Sequence, residues 1–210
     1  MNLLIQSQIS SGNVSINGMT FHFHTNIGKR SSQEDSLLIH ARNNAIVCAV
    51  TDGIATVKGG SYISYMTLKL IQNLIGNSPT VDYFRDLNST IKYWAECNVF
   101  QGAGCTLEGI KIDSTGITAF HIGDSRTYLL NDSKPKQLHT DHKAGQYLCN
   151  YIGADDVEVD IEKFELQNLL LTTDGFNKFI GKSPEALDYQ LMCQTSDNNN
   201  DNSTAILINV

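Results

Sequence analysis

The chain has 210 residues, 41% of them hydrophobic and 18% charged, with a formal net charge of −7. That length and balance suit a globular unit with a sizeable core, and we read residues 1–210 as one domain. The acidic balance argues against nucleic-acid and anionic-membrane partners, because both need basic surface.

In chain order, Val14–Ile16 and Met19–Phe23 alternate around Asn17-Gly18, a strong hairpin signal because both turn residues need positive φ. Leu37–His40 and Ala45–Thr51 read as the next strands, the second almost wholly apolar and therefore buried. Two helices follow. Ile63, Met66, Leu70, Ile71, Leu74 and Ile75 recur at helical spacing, as do Phe84, Leu87, Ile91, Trp94 and Ala95. Each set makes one apolar stripe, as for a helix laid on a sheet, and Gly76-Asn-Ser-Pro79 separates them as a loop. Strands are then expected at Cys105–Lys111, Gly116–Ile122, Thr127–Asn131, Leu169–Thr173 and Thr204–Val210. Short helices are expected at Lys143–Ile152 and Pro184–Gln194, the second with Ser183 as N-cap and Pro184 in its first turn. Strands outnumber helices and the helices come in pairs, which points to an α+β fold with antiparallel sheet covered by helices.

No run approaches the roughly 18 apolar residues of a membrane span. The start carries one apolar patch, Leu3 to Ile5, without a basic segment ahead of it, so no signal peptide is expected. Cys48, Cys97, Cys105, Cys149 and Cys193 are odd in number and scattered, without a C-x-x-C pair. Neither a disulfide framework nor a zinc site is expected, and a reducing, cytoplasmic location is the default.

The informative pattern is where the acids fall. Apolar runs lead into Asp52-Gly53, Gly123-Asp124 and Asp174-Gly175, and Asp201-Asn202 stands just before the last strand. Strand ends that share a sheet converge, and converging carboxylates repel unless protons, basic side chains or a cation neutralise them. No Lys or Arg closely flanks Asp52, Asp174 or Asp201 in the sequence. Oxygen ligands select magnesium, manganese or calcium over zinc, and Gly53 lets backbone come close enough to offer its carbonyl. Any one Asp-Gly pair alone reads as a turn; the set is what points to a site. A basic partner lies earlier, in Gly28-Lys-Arg30-Ser-Ser-Gln-Glu34-Asp35. One arginine can grip two phosphate oxygens as a fork, which lysine cannot.

These residues resemble the metal-dependent protein serine/threonine phosphatases of type 2C. The family's ordered motifs are matched by Arg30 with Glu34-Asp35, Thr51-Asp52-Gly53, Gly104-Cys-Thr106, Gly123-Asp124-Ser125-Arg126, Asp141-His142, Thr173-Asp174-Gly175 and Asp201-Asn202-Ser203-Thr204. They run from about residue 20 to the C-terminus. The resemblance implies a four-layer α-β-β-α sandwich of two mainly antiparallel sheets flanked by helix pairs. It also implies roles. Asp52 would bridge two Mn2+ or Mg2+ ions, the Gly53 carbonyl would bind one of them, and Asp174 and Asp201 would complete the set. Glu34 and Asp35 would act through metal-bound water, Asp124 would help hold a weaker third ion, and Arg30 would bind the substrate phosphate. The implied reaction is hydrolysis of phosphoserine or phosphothreonine in a protein by direct attack of a metal-bridging water, opposing a Ser/Thr kinase.

The chain departs from the family pattern in several places, among them Gln33, where asparagine is common, and a short stretch between Asp174 and Asp201. Ile54-Ala-Thr-Val-Lys58 precedes Gly59-Gly60 where a small glycine-rich turn is usual. Position 54 is Ile where some members carry a histidine that protonates the leaving group. The flap segment between Asp141-His142 and Tyr151-Ile-Gly153 is shortened, as in a compact bacterial-like member. These departures keep a second reading open: a weak or inactive phosphatase-like module that binds a phosphoprotein. Two other readings fare worse. A serine hydrolase at Ser125 lacks a G-x-S-x-G elbow, and a phosphate loop at Ile27-Gly-Lys-Arg-Ser lacks the required glycine and hydroxyl positions. His139-Thr-Asp-His142 offers two histidines, too few to specify a metal site.

Overall fold

Asn17 and Gly18 take φ values of 52° and 83° and close the first hairpin as the Asn-Gly pair demands. The strands in chain order are β1 (Asn2–Ile5), β2 (Ile9–Ile16), β3 (Met19–Asn26), β4 (Asp35–Arg42), β5 (Ala45–Asp52), β6 (Leu107–Asp113), β7 (Gly116–Ile122), β8 (Arg126–Leu129), β9 (Lys136–Gln137), β10 (Lys143–Ala144), β11 (Tyr147–Leu148), β12 (Asp160–Phe164), β13 (Leu169–Thr172) and β14 (Ser203–Asn209). The computed structural model describes residues 1–54, 58–130, 134–180, 189–196 and 198–210. One six-stranded sheet runs β1-β4-β5-β6-β7-β12 and the other β2-β3-β14-β13-β8-β9. Their pairings are antiparallel throughout.

Side-chain alternation explains how the sheets stack. Leu37, Ile39, Ile46, Cys48, Val50, Ile110 and Ala119 of the first sheet meet Phe21, Phe23, Leu169, Leu171, Ile206 and Ile208 of the second. The intervening residues, Leu38, Val47, Ala49, Leu107 and Phe120, lie under helices on the other face. A sheet buried on both faces has no polar side to show, which accounts for the unbroken apolar run of β5. Each fully buried Leu, Ile or Phe removes enough apolar surface from water to contribute about 1.5–3 kcal/mol.

The helices over the first sheet are α1 (Gly60–Ile71), continued by a 3-10 turn at Gln72–Gly76, and α2 (Val81–Cys97). Thr80 caps α2 by accepting the Tyr83 backbone N–H at 3.2 Å, a contact of about 1 kcal/mol. The α2 stripe is the buried face through Phe84, Leu87, Ile91 and Ala95, with Trp94 partly buried; in α1 the predicted Ile63 and Ile71 are buried, Met66 and Leu70 only partly, and Leu68, outside the predicted stripe, is buried as well. Over the second sheet lie α3 (Asp174–Asn177) and α4 (Tyr189–Ser196), where Phe176 packs with Leu170, Ala205 and Tyr128. The expected sandwich is therefore present, with a thinner helical layer on the second sheet among the described residues. The expected helix Pro184–Gln194 overlaps α4, while its Ser183 cap and Pro184 lie outside the described residues.

The expected helix at Lys143–Ile152 is absent. β10 and β11 form an antiparallel hairpin there, turning through Gly145 at φ 65°. Glycine takes that left-handed conformation freely, and an α-helix cannot pass through it. β1, β9 and β12 were not expected; β9 and β12 carry mostly exposed or half-exposed side chains, so neither has an apolar alternation to read. Among the described residues no helix is long and apolar enough to cross a membrane.

Candidate functional site

Antiparallel register does what the sequence pattern requires. Asp35 opens β4 directly opposite Asp52, which ends β5. Asp124 follows β7, Asp174 begins α3 just after β13, and Asp201 precedes β14. These ends come together from both sheets. A cleft of about 190 Å³ is lined by Arg30, Asp52, Gly53, Asp124, Asp174 and Asp201, with Ile54, Thr106, Leu148 and Asn202. Every strand-end aspartate singled out in the sequence lines it. Asp35 lies behind, fully buried, and Glu34 stands partly buried beside it.

Local backbone explains the fit. A Cβ on Gly53 would fall 2.5 Å from the Gly60 carbonyl carbon, so only glycine lets the Asp52 turn pass the start of α1. Asp52 is held at both ends of its peptide: its N–H donates to the Thr106 hydroxyl at 3.0 Å and its C=O accepts from the Thr106 N–H at 2.9 Å. Asn202, which the sequence reading quoted only as part of a motif, ties the Arg30 loop to the site. Its Oδ1 accepts the Glu34 N–H at 2.8 Å and its Nδ2 donates to the carbonyls of Ile27 and Ser32. Its amide type after Asp201 was the available signal.

The electrostatics are those of a cluster short of positive charge. Burial, then the charges of Asp35, Asp174, Asp124 and Asp201, push the Asp52 carboxyl well above the usual range. Burial and the nearby Asp124 and Asp201 raise Asp174 as well. Burial raises Asp35 to about 7, although Thr173 donates to its Oδ2 at 2.8 Å. Two cations reach the rim. Arg30 Nη2 lies 2.9 Å from both carboxylate oxygens of Asp201, and Lys143 Nζ pairs with Asp124. Both cations come from segments distant in sequence, the Arg30 loop and the β10–β11 hairpin. The centre is left uncompensated. Among the described residues, Glu34 Oε2 and Asp35 Oδ1 are buried without a hydrogen-bond partner, and such atoms cost about 1–3 kcal/mol each unless something binds them. An all-oxygen donor set with unpartnered atoms fits a hard divalent cation.

The Gly-Asp-Ser-Arg segment divides its labour. Arg126 forms a two-pronged pair with Asp141, Nε to Oδ1 at 2.8 Å and Nη2 to Oδ2 at 2.7 Å, which anchors the segment leading to the β10–β11 hairpin. Ser125 is buried with its hydroxyl 2.6 Å from that of Thr106. No histidine holds it, so it is a poor nucleophile.

No protein-family model matches the chain. The serine/threonine protein phosphatase PstP of Mycobacterium tuberculosis (strain CDC 1551 / Oshkosh) is 30% identical over 129 residues, which cover 58% of this chain and 24% of that protein. The chain thus matches about a quarter of that relative's length. Among solved structures, the serine/threonine phosphatase Stp1 from Staphylococcus aureus superposes with a TM-score of 0.75 at 18% identity, covering 98% of this chain and 99% of that one. The catalytic domain of PstP in complex with two manganese ions superposes with a TM-score of 0.71 at 20% identity, covering 91% and 97%.

Proposed function

We propose, from the premise that the fold is that of the bacterial serine/threonine phosphatases and that the type-2C motifs lie together within it, that this chain is a metal-dependent phosphatase. Its substrates are phosphoserine or phosphothreonine in proteins, placing it opposite a Ser/Thr kinase. The observation that carries the reading is the shared cleft of Asp52, Asp124, Asp174 and Asp201 with Arg30 on its rim.

The residues present suit two Mn2+ or Mg2+ ions. Asp52, the Gly53 carbonyl, Asp174 and Asp201 would hold them, Glu34 and Asp35 would act through water, and Asp124 would serve a weaker third. Such ions, when bound, make water a better nucleophile and offset charge on phosphoryl oxygens. The chain's own groups do the rest. Arg30 is 44% exposed, free to turn from Asp201 and grip two phosphate oxygens. Gly53 and Thr106 fix Asp52, Thr173 fixes Asp35, and Asn202 fixes the Arg30 loop, so the cluster is set before substrate arrives. Water is the nucleophile: its oxygen bonds to phosphorus, and the seryl or threonyl oxygen leaves and takes a proton. A covalent phosphoenzyme is not needed, since Ser125 is buried and engaged. The leaving oxygen is protonated from solvent, because Ile54 stands where a histidine would do it.

One observation favours phosphoprotein binding without turnover: Lys143 already pairs with Asp124, at the place of the third ion. The discriminating experiment is phosphate release from a phosphothreonine peptide with Mn2+, Mg2+ or chelator. Asp52→Asn and Asp174→Asn should each lose about a thousandfold of metal-dependent turnover, the worth of several kcal/mol of transition-state stabilisation. A folded protein without turnover under any metal would leave the binding module standing.

A further inference from the structure

Behind the cleft lies a second cluster that the phosphatase reading does not use. Glu108 on β6 stands directly opposite His121 on β7. Both share the strand faces of Ile110 and Ala119, residues of the core between the sheets. Both side chains are fully buried. His121 Nδ1 lies 2.5 Å from Glu108 Oε2, and Thr127 of β8 donates to Glu108 Oε1. His139, just past β9 on the second sheet, completes the group. Its side chain is 7% exposed, its Nδ1 is 3.7 Å from Glu108 Oε1, and its ring stacks on His121 at 5.1 Å and 13°.

This arrangement is incompletely satisfied. Burial would raise the Glu108 carboxyl, but His121, hydrogen-bonded to it, and the nearby His139 outweigh burial and hold it below its ordinary range. A Glu108–His121 ion pair would account for the carboxylate alone. It leaves His121 Nε2 and both nitrogens of His139 buried without a hydrogen-bond partner among the described residues. Buried polar atoms are almost always paired, and exceptions call for an explanation such as an ion. A ligand atom from each of Glu108, His121 and His139 lies within 4.8 Å of the others, a spacing one ion can bridge.

A neighbouring triad, His121, His142 and Asp160, meets the same distance criterion but fails on protons. His142 Nδ1 accepts from the Gly123 N–H at 3.1 Å and from the Asn150 side-chain amide at 2.7 Å. Asn150 cannot be flipped, because its Oδ1 accepts the Glu158 N–H. Nδ1 is therefore the bare nitrogen, and Nε2 carries the proton it donates to Asp160 at 3.1 Å. That nitrogen has no lone pair for a metal.

We propose that Glu108, His121 and His139 form a second metal site, separate from the aspartate cleft, that takes a borderline divalent ion of the zinc type. Two imidazoles and one carboxylate are a recognised zinc donor set, whereas the cleft offers only oxygen. The ion ties the first sheet, through Glu108 and His121, to the second, through His139. His121 is three residues before Asp124, so the same ion braces the turn that carries an acid into the cleft. This proposal stands whether or not the cleft is catalytic.

The test uses Co2+ as a spectroscopic probe on the Asp52→Asn protein, in which the cleft is impaired. One Co2+ should bind and give the strong visible bands of a nitrogen-ligated ion of low coordination number, and Zn2+ should bleach them. His139→Ala in the same background should weaken binding at least about tenfold, the least that loss of a metal-site partner costs. The His139 ring makes no hydrogen bond to the described residues, and His139→Gln serves as a second variant if alanine perturbs folding, as read by circular dichroism. Folded Asp52→Asn protein without such bands, or bands unchanged in the folded His139 variants, would overturn the proposal. So would weak bands alone, the mark of an oxygen-ligated ion.

Discussion

The aspartate cleft and the Glu108 cluster, which meet in the chain only where His121 precedes Asp124, solve the same problem differently. In the cleft, carboxylates gather with their positive partners only at the rim, Arg30 on Asp201 and Lys143 on Asp124. Asp52 is consequently driven well above its ordinary pKa. Around Glu108 the compensation is internal: His121 lies against the carboxylate, whose pKa is lowered although it is fully buried. The difference teaches that a buried acid is not by itself a sign of catalysis. What marks the cleft is negative charge left unbalanced at its centre and open to solvent, where the candidate ligands are oxygens.

The comparison is broken if neutralising an acid does the same thing in both places. The largest expected effect is in the internally balanced cluster. Glu108→Gln strands a buried His121 and should cost about 3–5 kcal/mol, read from urea unfolding in chelator; a loss under 1 kcal/mol would dissolve the distinction. Next comes the rim. Arg30→Ala should lower kcat/KM for a phosphopeptide about 10–100-fold, the worth of a charged hydrogen-bond donor. Arg30→Lys should recover only part, because it lacks the fork; full activity in Arg30→Ala would remove Arg30 from substrate binding. Smaller still is the Arg126–Asp141 pair, with side chains 29% and 17% exposed. Asp141→Asn should cost about 1–2 kcal/mol of stability, measured in the same unfolding assay.

Most of the scaffold was legible because its elements are doubly signalled. The Asn17-Gly18 hairpin had a turn chemistry and two alternating strands, and α1 and α2 had apolar stripes that match the buried face of α2 and part of that of α1. Elements without an apolar face were not legible: β12 lies at a sheet edge with most side chains exposed. The β10–β11 hairpin, where a helix was expected, turns on the conformation of Gly145, a backbone property that no side-chain pattern displays. The cleft could be anticipated because its acids end strands, and antiparallel register carries strand ends to common edges. The Glu108–His121–His139 cluster could not. It depends on which residue of β6 faces which of β7 and on how one sheet lies over the other, neither of which is written locally. Only the His139–His142 spacing hinted at it, and the fold excludes His142 on the evidence of its own hydrogen bonds.

The measurement that tests the account most directly is thermal unfolding of the wild-type chain and Asp52→Asn, each in chelator and in Mn2+. If the carboxylates are arranged for divalent cations, Asp52→Asn should melt a few degrees higher than wild type in chelator, since about 1 kcal/mol of repulsion is relieved. Mn2+ should then raise the wild-type melting temperature and leave that of Asp52→Asn nearly unchanged. A wild-type protein indifferent to Mn2+, or a variant that responds to Mn2+ as the wild type does, would contradict the claim that this cleft is built around cations.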